Sequence, residues 1–95
     1  MIREYYFYIM SNKCNSVLYS GVTNNPKRRV AVHKQKQPGS FTARYNITKL
    51  VYFKVFGDPR DAIRREKRIK AGPRKQKKEL IENVNPEYRN MALEL

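Results

Sequence analysis

Two strand-forming runs joined by a short polar turn decide how this chain must begin. Residues 4–10, Glu-Tyr-Tyr-Phe-Tyr-Ile-Met, are rich in aromatic residues that favour extended backbone. Ser11-Asn12-Lys13-Cys14-Asn15 is turn chemistry, and Val17 to Val22 returns as a second strand, so the pair reads as an antiparallel hairpin. Alternation puts Tyr6, Tyr8 and Met10 on one face and Tyr5, Phe7 and Ile9 on the other. A third strand is expected at residues 48–56.

Helices fill the gaps between and after these strands. Thr23-Asn24-Asn25 offers caps and Pro26 suits a first helical position, so a helix is expected from Pro26 to Lys36. Gln37-Pro38-Gly39-Ser40 breaks it, and Phe41 to Asn46 reads as loop. Asp58 as cap and Pro59 as first residue open a second helix that runs to Lys70 or Ala71. Gly72-Pro73 stops it and starts a third over residues 73–83. Asn85-Pro86 repeats the cap-then-proline signal for a short last helix. The expected fold is α+β, a three-stranded antiparallel sheet flanked by helices. Ninety-five residues make one domain, 1–95, with room for one modest core.

Charge narrows the partner. Lys and Arg number 21 against 8 Asp and Glu, a net +13, which calls for a polyanion, and nucleic acid before a membrane surface. No apolar run reaches the ~18 residues of a membrane span, and no signal-peptide pattern opens the chain. Cys14 is the only cysteine, which fits a reducing, cytoplasmic setting and excludes an internal disulfide. Between residues 64 and 78 lie Arg64, Arg65, Lys67, Arg68, Lys70, Arg74, Lys75, Lys77 and Lys78. Most of these, with Arg28 and Arg44, are the expected contacts to phosphate backbones.

The acids are distributed unevenly. None occurs from Tyr5 to Gly57, so the first half of the chain cannot build the carboxylate cluster of a two-metal site. Glu66 stands out, because it falls inside the stripe defined by Ala62, Ile63 and Ile69 on an otherwise basic helix. An inward carboxylate there is either a metal ligand or the partner of Lys70, four residues on. Arg29 and His33, also four apart, share a helix face, where a cation and an imidazole could serve phosphate chemistry or simply be solvated. Tyr8 and Tyr19 lie on adjacent strands and could converge, although packing alone accounts for most of the seven tyrosines. Nucleophile signatures, Walker loops and dinucleotide glycine motifs are missing.

Taken in order, Tyr6-Phe7-Tyr8, Tyr19-Ser20-Gly21, Arg29 with His33, and Arg64-Arg65-Glu66-Lys67 resemble the GIY-YIG endonuclease superfamily. Within it the chain is similar to the small URI-domain, YhbQ-like (UPF0213-type) predicted endonucleases. The first motif matches only at its final Tyr, and the second at Tyr and Gly. A late Asn often found at the family's site would be Asn85, which a helix cap explains as well. The resemblance implies a phosphodiester hydrolase, of DNA before RNA, with repair or recombination as its setting. Glu66 would hold one Mg2+ or Mn2+ ion, Tyr8 or Tyr19 would activate water with help from His33, and Arg29 would stabilise the phosphorane-like transition state. Two other functions fit the residues: a non-catalytic nucleic-acid binder that keeps the fold, and an adaptor whose basic face meets an acidic protein.

Overall fold

The computed structural model describes residues 4–35 and 39–95. Strand β1 is Tyr5–Ser11, β2 is Leu18–Thr23, helix α1 is Pro26–Lys34 and the short α2 is Phe41–Arg44. Strand β3 (Lys49–Phe56), α3 (Pro59–Ala71), α4 (Arg74–Val84) and a 3-10 turn at Ala92–Glu94 complete the chain. The three strands form one antiparallel sheet in the order β2-β1-β3, as the α+β reading expected. The expected end of the first helix at Lys36, and the Gln37-Pro38 break, lie outside the described residues.

Period-two alternation sorts the core into two layers. Phe7 and Ile9 face one side and bury against Val51, Tyr52, Ile69 of α3 and Ile81 of α4. Tyr8 and Met10 face the other side and bury with Val30 of α1, Ile47 and Leu50. The central strand is therefore covered on both faces, and Phe7, Ile9 and Met10 are fully buried. The pairing of β1 with β3 slips between Ile9 and Met10, a bulge that local twist accommodates.

Capping explains most helix starts. The Asn25 side chain accepts from the Arg28 N–H at 3.1 Å, with Pro26 behind it. Asp58 accepts from the Arg60 N–H at 2.8 Å, with Pro59 behind it. Ser40 accepts from the Ala43 N–H at 3.1 Å, and this cap turns Phe41–Arg44 into a helix where a loop was expected. Four residues are too few for helical periodicity to show in the sequence. Ile63, expected on the buried stripe of α3, is instead exposed, and the inward line is Ala62, Glu66 and Ile69.

The last helix expected after Pro86 does not form. Asn85 ends α4 rather than starting a helix, and Tyr88 takes a left-handed φ of 54° that interrupts regular backbone. The Asn85 side chain explains the path taken. It donates to the carbonyls of Val51 (3.0 Å) and Arg89 (2.9 Å) and accepts from the Arg89 N–H at 2.9 Å. Asn90 and the Met91 N–H then bond to the Leu50 backbone, so the C-terminal segment covers the outer edge of β3. Among the described residues no strand pairs with the outer edge of β2. Replacing Asn85 by Ala removes three bonds around a residue that is 1 % exposed. Chemical denaturation should show a loss of about 2–3 kcal/mol, since buried partners are stranded. A loss below about 0.5 kcal/mol, the level of an ordinary surface substitution, would refute this bracing role.

Candidate active site

Tyr8 of β1 pairs with Gly21 of β2. A β-carbon on Gly21 would lie 2.6 Å from the Tyr8 hydroxyl oxygen and 2.8 Å from Cζ. The phenol thus lies directly over the glycine, leaning toward the edge strand. Only glycine leaves this space, which gives the Tyr-x-Gly spacing of residues 19–21 a physical reason. The sequence reading quoted Gly21 as a motif letter without giving it this steric role.

Three rings gather at this point. The Tyr8 hydroxyl is 3.4 Å from Nε2 of His33, a long contact between two buried groups. Tyr19 sits edge-on to His33 with centroids 5.5 Å apart, and 6.4 Å from the Tyr8 ring. Helix α1 thus delivers His33 onto the sheet face that carries both phenols, because Val30 and His33 are its buried positions. Tyr8 is nearly inaccessible, whereas Tyr19 is half-buried.

The electrostatics are set by burial first. Burial pushes the Tyr8 phenol well above its ordinary range, Tyr19 and Glu66 push the same way, and Arg29 pulls it down. Desolvation of the buried phenol outweighs the pull of Arg29. Burial, and then the Arg29 charge, lower the His33 pKa, which keeps the imidazole neutral at neutral pH. Arg29 and Glu66 thus both act on the Tyr8 phenol, the first from α1 and the second from α3. Helix α3 packs on β1 and β2, in the layer opposite α1.

Glu66 is shielded, with its side chain 17 % exposed, and Lys70 lies 3.9 Å away at the limit of an ion pair. Both sequence readings of Glu66 thus have a physical basis, since Lys70 is itself largely exposed and loosely held. Lys77 of α4 is lowered in pKa first by burial, and the Glu66 charge opposes that shift. Among the described residues no group of three or more His, Cys, Asp or Glu gathers. Asn85 differs from the other site candidates: its carboxamide is committed to the backbone bonds already described.

The basic candidates divide by position. Arg28 and Arg29 line a cleft of about 230 Å3 with Thr23, Asn24, Asn25 and Val32, at the β2–α1 junction. Arg44 lies over the Tyr45 ring, 5.6 Å from its centroid. Arg64, Arg65 and Arg68 border a depression of about 250 Å3 beside Phe56 and Asp61. Lys67 and Lys70 are exposed on the same helix. Arg74 donates to the Asn15 carbonyl at 3.0 Å, and Lys75 faces Glu79 at 4.0 Å. Arg74 thereby ties α4 to the β1–β2 turn, a role its charge alone did not announce, whereas Lys75 stays exposed.

The pH response of His33 follows from its burial. Its folded pKa is lowered, so the stability it contributes is present above the unfolded value near 6.5 and lost as pH falls through the folded value. NMR titration of the imidazole should give a midpoint below 6.5, and Gly21→Ala, by displacing Tyr8, should raise it toward the free value. An unshifted midpoint in the unaltered protein would contradict the arrangement.

Comparison with known proteins places this geometry. The profile of the GIY-YIG catalytic domain matches residues 4–79. A UPF0213 protein of Staphylococcus haemolyticus is 38 % identical over 79 residues, 83 % of this chain and 95 % of the relative. One from Clostridium perfringens is 37 % identical over 90 residues, covering 95 % and 96 %. The solution NMR structure of a UPF0213 protein from Bacillus halodurans superposes with a TM-score of 0.58 at 27 % identity, covering 93 % of each chain. Tyr8, the Tyr19–Gly21 stretch of β2, Arg29, His33 and Glu66 all fall inside the matched span, and the chain belongs to the GIY-YIG family, among its UPF0213 proteins.

Proposed function

We infer that the chain is a divalent-metal-dependent endonuclease that hydrolyses phosphodiester bonds in DNA. The observation that carries this reading is the meeting of groups at Tyr8: His33 at 3.4 Å, Tyr19 beside both, and the opposed fields of Arg29 and Glu66. A pure binder has no use for a shielded carboxylate opposite an arginine across two phenols. The family relationship supports a nucleic-acid substrate. Among the described residues no helix is long and apolar enough to cross a membrane.

The donor set fits one hard cation. Glu66 supplies a shielded carboxylate whose nearest cation, Lys70, stands off at 3.9 Å. With no carboxylate cluster among the described residues, Glu66 would be the ligand from the protein, and water and phosphate oxygens would complete the shell. A bound Mg2+ or Mn2+ would polarise the phosphate and stabilise the leaving oxygen.

The chain's own residues divide the remaining work. Arg29, exposed at the cleft, neutralises charge that builds on the phosphate. Tyr19 is the more accessible phenol and orients the attacking water. Tyr8 need not ionise in the resting state. With the proton of His33 on Nδ1, Nε2 accepts from the Tyr8 hydroxyl, so Tyr8 can pass a proton to His33 as it takes one from water. The 3.4 Å contact would shorten when substrate fills the cleft. Arg28, Arg44, Arg64, Arg65, Lys67, Arg68, Lys70, Arg74 and Lys75 would hold phosphates without reading sequence.

Nicking of supercoiled and branched DNA with Mg2+ or Mn2+ tests the reading. Glu66→Ala and Arg29→Ala should each lower the rate at least about 100-fold, the scale of losing one transition-state contact. The acid limb of the pH–rate profile should fall at the lowered His33 pKa. Cleavage that survives in both variants would sink the assignment. Tight, salt-dependent binding without cleavage under any metal would favour the binder instead.

A further inference from the structure

Outside the groups used above, one surface stands apart. Phe41 and Tyr45, on and just after α2, are 49 % and 38 % exposed. The other exposed large apolar residues among those described, Val55, Ile63, Val84 and Leu93, are aliphatic and scattered along the chain. The two rings lie together, with centroids 4.8 Å apart. Phe41 is also 6.1 Å from Tyr19, so the aromatic series runs outward from the catalytic candidates: His33, Tyr19, Phe41, Tyr45. Arg44 caps its far end over the Tyr45 ring.

This arrangement is held firmly from below. Ser40 caps α2, the Tyr45 N–H returns to the Phe41 carbonyl at 3.2 Å, and Ile47 is fully buried just beyond. Asn46 takes a left-handed φ of 56°, which turns the chain down into the core and leaves the two rings at the surface. Packing alone would bury such rings, because exposed aromatic area is unfavourable. Their only charged neighbour along α2 is a guanidinium, and the chain as a whole carries +13, so an anionic occupant with flat apolar faces is the complement.

We propose that Phe41 and Tyr45, with Arg44, form a nucleobase-stacking platform that seats the base next to the phosphate held at Tyr19 and Arg29. This rests on the nuclease reading for what lies beside it, but not for its own binding. Aromatic faces accept any base, so the platform adds affinity without sequence preference, and Arg44 can pair with the adjoining phosphate. A base can reach these rings only when it is unstacked from its neighbours, so the nucleotide beside the cut is drawn out of the stack.

Binding in a chelating buffer separates this from catalysis. Fluorescence anisotropy would compare a 12-nucleotide DNA strand with an abasic strand carrying the same phosphates. The unaltered protein should prefer the base-bearing strand at least about fivefold. Phe41→Leu with Tyr45→Leu should bring that ratio close to one and leave abasic binding nearly unchanged, because the phosphate contacts remain. Phe41→Trp should keep the ratio, and its fluorescence should be quenched by the base-bearing strand alone. Arg29→Ala should weaken both strands and keep the ratio. A ratio near one in the unaltered protein, or one unchanged in the double variant, overturns the platform. So does a double variant that binds both strands normally while a dimer dissociates, since a second copy would then be the occupant. A ratio that collapses in a protein that cuts nothing leaves the platform standing and removes only the nuclease reading.

Discussion

The Tyr8 ring lying across Gly21 is the contact on which the rest of the site depends. Its position follows from the hairpin register, which sets Tyr8 opposite Gly21 and Met10 opposite Tyr19. With no side chain beneath it, the phenol can reach toward the edge strand and under His33. Any β-carbon at that position would push the ring away, break the Tyr8–His33 contact and disturb the aromatic series that leads on to Phe41. Sheet register, a backbone property, thereby fixes side-chain chemistry.

The second constraint is electrostatic. In a chain with net charge +13 the few acids count, and Asp58, Asp61 and Glu79 pair with nearby cations at the surface. Glu66 is the shielded exception. It stands in the layer opposite the phenols, and its field still reaches Tyr8. Helix α3 packs on β1 and β2, the strands that carry the two phenols. The outer edge of β3 is covered by Asn85, Asn90 and Met91.

Much of this was legible in the residues. The strand bounds and the starts of α1, α3 and α4 fall within a residue of the sequence reading, and proline with asparagine or aspartate caps marks α1 and α3 plainly. The face assignment of Tyr8 and Met10 against Phe7 and Ile9 followed from alternation alone. Less visible were features that depend on contacts distant in sequence. Asn85 looked like a cap for a following helix, and only the nearby β3 carbonyl of Val51 makes it a clamp. Ile63 looked buried because hydropathy ignores which side of α3 meets the sheet. The upward shift of the Tyr8 phenol comes first from burial, which neighbouring residues in the sequence do not reveal. Short α2, with its paired aromatic rings, gave no periodic signal at all.

The central claim is that Glu66 and the two phenols belong to one site despite lying on opposite layers of the sheet. Titrating isotopically labelled protein with Mg2+ while following backbone and tyrosine-ring NMR shifts tests it most directly. The account requires saturable shifts centred on Glu66 together with Tyr8, Tyr19 and His33, all fitting one dissociation constant and all vanishing in Glu66→Gln. Shifts spread thinly over the exposed acids Asp58, Asp61, Glu79 and Glu82, with Tyr8 and Tyr19 unmoved, would contradict it.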